Sequence, residues 1–160
     1  MIADDQATRR DFLIGAASLA GALGVVTVLP VTEANATPET MQAAIKKVVG
    51  SAPLRKGKVT LTLPPIVENG NSVSLDVAVE SPMTPVNYVK AIHVFNEKNP
   101  QSNVISAYLG PRAGHARIST RMRLAVSQHI MAVAAMSDGT FWSDEIEVIV
   151  TIAACLEDPA

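Results

Sequence analysis

Four groups of side chains in this 160-residue chain are of types that could do chemistry. Cys155 is the sole cysteine, and a lone thiol can carry a covalent adduct, link two chains or lie idle. One cysteine rules out an internal disulfide and any metal cage built from thiolates. Arg117, Arg121 and Arg123 alternate along one stretch with Ser119 in the same phase, so their guanidinium groups, about 7 Å apart at each i, i+2 step, would attract an anion or an acidic partner. The plainer reading of that row is a solvated strand face with salt bridges. His93, His115 and His129 fall on different expected elements, and His129 with Met131 shares a strand phase that would suit Cu(I). The alternative there is an edge histidine beside a core methionine. Trp142 beside Phe141 could bind a sugar or a partner, or divide into one core and one rim residue. No phosphate-cradling glycine loop, H-E-x-x-H or G-x-S-x-G occurs, so neither a catalytic residue nor a cofactor nor a metal site is expected.

The element that positions the thiol is the last strand. Ile146, Val148, Val150 and Ile152 alternate with Glu145, Glu147, Ile149 and Thr151, the period-two pattern of a half-buried strand whose even positions face a core. Cys155 falls on the outward phase, three residues beyond the last core-facing position, on a tail placed to be reached. Upstream, Thr37, Pro38 and Glu39 open a helix with an N-cap, a proline at the first position and an acid in the first turn. Met41, Ala44, Ile45 and Val48 give it an apolar stripe, and Gly50 stops it. From Lys58 onward short alternating runs follow one another between turn signals: Asn69-Gly70, read as a hairpin-type turn, then Ser81 to Pro85, Asn96 to Pro100, Gly110-Pro111 and Asp138-Gly139. Seven or eight such strands predict an all-β fold, an immunoglobulin-like antiparallel β-sandwich, with a closed barrel as the alternative.

The first 36 residues read as an address. Thr8-Arg9-Arg10-Asp11-Phe12 is a twin-arginine export motif, an uncharged stretch follows, and Ala34-Asn35-Ala36 is a small-x-small cleavage pattern. A retained membrane anchor is the other reading, opposed by Gly15, Gly21, Gly24 and Pro30. Two of the 13 basic residues and four of the 15 acids lie before Thr37, so the remainder is formally neutral. That balance excludes nucleic acid as the partner. The expected organisation is a signal peptide over residues 1–36, a helix and connection over 37–57, a sandwich over 58–152 and a cysteine-bearing tail over 153–160. The expected compartment is the periplasm, with the signal cleaved near Ala36 and no membrane partner.

Several blocks together resemble SoxY, the carrier subunit of the periplasmic thiosulfate-oxidising system. They are Val67-Glu-Asn-Gly70, Ser81-Pro-Met-Thr84, Tyr88-Val-Lys-Ala-Ile-His-Val-Phe95, Glu97-Lys-Asn-Pro100, Ser119-Thr-Arg-Met-Arg-Leu-Ala125, Ala132 through Trp142, and Val148-Ile-Val-Thr-Ile152. The resemblance implies a sandwich paired with a second small sandwich, SoxZ, and sulfur intermediates of thiosulfate oxidation held on one C-terminal cysteine, here Cys155. It also implies a c-type cytochrome that couples thiosulfate to the thiol, and a hydrolase and a sulfane dehydrogenase that work on the adduct, while the carrier itself catalyses nothing. The family tail reads Gly-Gly-Cys-Gly-Gly. Here it is Ala153-Ala154-Cys155-Leu156-Glu157, followed by Asp158. Glycines leave an arm free in φ, and nearby carboxylates raise a thiol pKa, so this tail predicts a stiffer arm and slower loading. Two other functions stay open from the residues alone. One is a binding subunit whose cysteine makes an interchain disulfide or is idle; the other is a copper-handling protein.

Overall fold

The computed structural model describes residues 36–152. The export motif and Cys155 lie outside the described residues. Thr37 caps helix α1 (Pro38–Val49): its hydroxyl accepts the Thr40 N–H and its own N–H donates to Thr40 Oγ1. Gly50, at φ 66°, ends the helix in the left-handed region that side chains disfavour. Met41, Ile45 and Val49 lie at i, i+4 and i+8, and this one stripe packs on Phe95 and Val133. A 12-residue helix is marginal in water, so that contact is what holds it folded.

Nine strands follow: β1 (Leu54–Lys56), β2 (Val59–Thr62), β3 (Ile66–Asn69), β4 (Val73–Val79), β5 (Val89–Asn96), β6 (Asn103–Tyr108), β7 (Ala116–Met122), β8 (Gln128–Met136) and β9 (Phe141–Ile152). They make the two sheets of a sandwich. The larger runs β1-β9-β8-β5-β6, with β3 also on β9, and the smaller runs β2-β4-β7. The core between them is built by the inward phases of β2, β4, β5 and β8, with Leu75, Val77, Ile92, Val94 and Ile130 fully buried. On its outer face the larger sheet carries α1, so β5 is covered on both sides, which explains its continuous burial from Ala91 to Asn96.

The structure departs from the sequence reading at four points. Strand formation begins at Leu54, within the expected connection, because β1 finds a partner in β9. The sandwich is not wholly antiparallel, since β1 and β3 both run parallel to β9. Asn69-Gly70 is not a hairpin: β3 pairs with β9 rather than β4, so the chain here crosses between sheets. Ile152 faces solvent at 63% exposure instead of the core. β9 is 12 residues long, whereas the opposing strands are 4 to 7, so its end outruns their cover. The Asp138-Gly139 turn does close the β8–β9 hairpin, with Gly139 at φ 82°.

Candidate functional site: the root of the cysteine tail

The root, the last four residues of β9, is pinned on both sides. The Ile149 N–H donates to Pro65 O at 2.9 Å and Ile152 O accepts the Gly70 N–H at 3.0 Å. Thr151 Oγ1 reaches Glu68 O at 3.1 Å. Toward β8, the Ser127 hydroxyl accepts the Val150 N–H at 2.9 Å. Ser127 is fixed in turn by a buried polar cluster. Gln128 Oε1 accepts the Lys98 N–H at 2.9 Å, while its Nε2 donates to Asn99 Oδ1 at 2.9 Å and Val126 O at 3.1 Å. Asn99 Oδ1 also takes the Ala125 N–H, and its Nδ2 donates to Arg123 O. Asn96 Oδ1 accepts the Asn99 N–H, and its Nδ2 donates to Gln101 O. Asn99 thus joins the family-like block at Glu97 to Pro100 to the one at Ser119 to Ala125. Each buried amide has partners, which is what such groups require.

The surface at the root is apolar beside basic. Ile66 and Ile149 are register partners, both more than half exposed or close to it, and Ile152 stands beyond them. The Gly70 carbonyl accepts the Leu124 N–H at 2.9 Å, so the ends of β9 and β7 are separated by one residue's backbone. This brings Arg121 and Arg123 to the end from which the tail leaves.

The arginine row resolves into unlike members. Asp76 Oδ1 binds Arg117 Nη2 at 2.7 Å and Nε at 2.8 Å, with Ser119 Oγ at 2.6 Å. The Ser119 and Arg117 hydrogen bonds hold the Asp76 carboxyl below its usual range. Among the described residues Arg121 donates only to Ser72 Oγ, at 3.3 Å, and Arg123 lies past the strand end. The three do not form one uniform row.

His93 is buried on the outer sheet face with Nδ1 2.8 Å from Ser106 Oγ, and burial pushes its pKa down. His115 and His129 are exposed on separate elements. No cluster of three metal-ligating His, Cys, Asp or Glu side chains occurs among the described residues. Phe141 and Trp142 lie half-buried on opposite faces, Phe141 against the α1 cluster and Trp142 against the sandwich core. Lys58 Nζ is 4.9 Å and the Arg55 guanidinium 5.8 Å from the Trp142 ring, so the indole is a cation platform at the far end of β9. Sequence reasoning missed the Gln128–Asn99–Asn96 clasp. Its only sequence signal was three amides near turns, which is also what a solvated loop shows.

The family profile described as "Sulfur oxidation protein SoxY" matches residues 45–155, more than two thirds of the chain. The chain belongs to the SoxY family. Among solved structures, the sulfur carrier protein SoxY from Chlorobium limicola f thiosulfatophilum superposes with a TM-score of 0.60 at 29% identity, covering 71% of this chain and 98% of its own. A superoxide reductase (neelaredoxin) from Ignicoccus hospitalis, 15% identical with a TM-score of 0.54, covers 76% of this chain and 99% of its own. A putative superoxide reductase from Thermotoga maritima is 19% identical with a TM-score of 0.52, covering 61% and 93%. At those identities the likeness to the reductases is one of fold alone. No curated protein matches the chain in sequence. Membership of the SoxY family bears out the resemblance carried by the blocks between Val67 and Ile152, and with it the sandwich.

Proposed function

We propose that this SoxY-family chain is a sulfur carrier that holds intermediates of thiosulfate oxidation on Cys155 and presents them to partner enzymes. The observation that carries the reading is the family match, which runs to residue 155, the cysteine itself. The root geometry supports it: β9 is held at Ile152 by the Gly70 N–H and at Val150 by the Ser127 hydroxyl, and Cys155 follows Ile152 by three residues in the sequence. Three residues at ~3.3 Å each give a reach of about 10 Å, enough to enter a shallow cleft. In loading, Sγ forms a bond to the sulfane sulfur of thiosulfate, the thiol loses its proton, and two electrons pass to the c-type cytochrome. A hydrolase and a sulfane dehydrogenase then act on the adduct. The chain itself catalyses no step.

The carrier works in the periplasm after twin-arginine export with cleavage near Ala36, and in a heterodimer with a SoxZ-like sandwich. Co-expression with such a chain from the same source should give one complex; a domain that stays monomeric beside it would remove the partner. The carrier test is intact mass after incubation with thiosulfate and the coupling cytochrome. Wild type should gain one thiosulfate-derived group and Cys155→Ser none. An adduct that persists in Cys155→Ser refutes the assignment. A disulfide-linked dimer as the sole product would instead mean a binding subunit, the reading that Leu156 and Glu157 favour.

A further inference from the structure

Two of the three arginines have no carboxylate partner among the described residues. Arg117 is taken up by Asp76, while Arg121 meets only a serine hydroxyl. Among the described residues the salt bridges are Lys56–Glu145 and Arg117–Asp76, and neither involves Arg121 or Arg123. Both arginines sit at the end where β9 stops, because Leu124 bonds to Gly70 and Gly70 to Ile152. Adjacent strands lie about 4.8 Å apart, so two steps put Leu124 roughly 10 Å from Ile152. The charged side chains in residues 153–160 are Glu157 and Asp158. Five residues of chain reach about 17 Å, which covers this corner.

We propose that the Arg121–Arg123 corner is a docking site for this chain's own acidic segment, Glu157-Asp158, and that docking draws Cys155 back against the sandwich between loading events. It rests on the carrier reading above only for that consequence. Length, place of exit and charge all favour this occupant: the segment is attached at the corner's edge, carries two carboxylates, and meets two guanidinium groups. A glycine arm without acids would have no such resting place. Exposed ion pairs are individually weak, so two of them should bias the docked state about fivefold, a balance that a visiting enzyme can overcome. The pairing is solvent-exposed, so it should respond to salt: the screening length falls from about 30 Å at 0.01 M to about 3 Å at 1 M.

The single cysteine allows a direct measurement. A nitroxide attached to Cys155 of the full chain should show a slow-motion component at low salt that is lost at high salt. Arg121→Ser with Arg123→Ser should lower the ratio of slow to fast component about fivefold, and Glu157→Gln with Asp158→Asn should do the same. Arg117→Ser, about 13 Å along the strand from Arg121, should leave it unchanged. A component unaffected by salt and by both double variants overturns the proposal. So does loss in the arginine pair with none in the acid pair, which would assign the corner to another anion. Because the probe reads motion rather than adduct, either result is separable from the mass test of the carrier reading.

Discussion

Replacing Gln128 by Met tests whether the clasp holds the root of the tail. Gln128 is 2% exposed, and its amide makes three hydrogen bonds, to the Lys98 N–H, Asn99 Oδ1 and Val126 O. Met fills nearly the same space and offers neither donor nor strong acceptor. Asn99 Oδ1 keeps the Ala125 N–H, so the groups orphaned are the Lys98 N–H and the Val126 carbonyl. The Lys98 N–H is only part-buried, so its loss of a partner costs near the low end of about 1–3 kcal/mol, the carbonyl adds less, and the apolar side chain regains part of that. The net expectation is about 1 kcal/mol of destabilisation, or roughly 3–6 °C in Tm for a domain of this size. Urea unfolding should show a lower midpoint at unchanged slope, because no new surface is exposed. Hydrogen exchange should quicken at Val150, whose amide rests on Ser127, before it quickens in the β4 core. A midpoint within about 0.5 kcal/mol of wild type, with Val150 still protected, would refute the claim that this cluster holds the end of β9.

Two further outcomes rest on the structure and two on the sequence. Phe95, fully buried beneath α1, should cost about 3–5 kcal/mol on change to Ala, with amide protection in α1 lost first; a helix that stays protected would mean another contact holds it. Burial lowers the His93 pKa from its usual 6.5, so the unfolded chain holds the extra proton and stability falls as pH drops through that value. Urea midpoints from about pH 8 to 5 should fall less steeply in His93→Gln, and parallel curves would remove His93 as the cause. Glu157→Gly with Asp158→Gly should speed adduct loading, through a higher thiolate fraction and release from the arginine corner; slower loading would mean the enzymes recognise the acids. Arg9→Lys with Arg10→Lys should leave unprocessed chain in the cytoplasm, and normal export of that variant would end the twin-arginine reading.

Sequence alone determined what rests on short-range pattern. The alternation of β4 and β9, the proline and cap that open α1, the Asp138-Gly139 turn and the family blocks are all local in the chain. Each is a relation among residues a few positions apart, and side-chain period or φ preference states it directly. The sandwich and the family were legible for that reason. Tertiary structure decided everything that depends on partners far along the chain. Leu54 to Lys56 is a strand because it pairs with Phe141 to Ser143, and Asn69-Gly70 is no hairpin because β3 pairs with β9 rather than β4. Arg117 was neutralised by Asp76, 41 residues away, whereas Arg121, four positions further along the same strand, met only Ser72 among the described residues. The three amides of the clasp are unremarkable in order and become a unit only when the β5–β6 turn folds against the start of β8. Ile152 kept the phase of a core residue, yet the opposing sheet stops short of it, and burial is a property of what lies across the gap rather than of the residue itself.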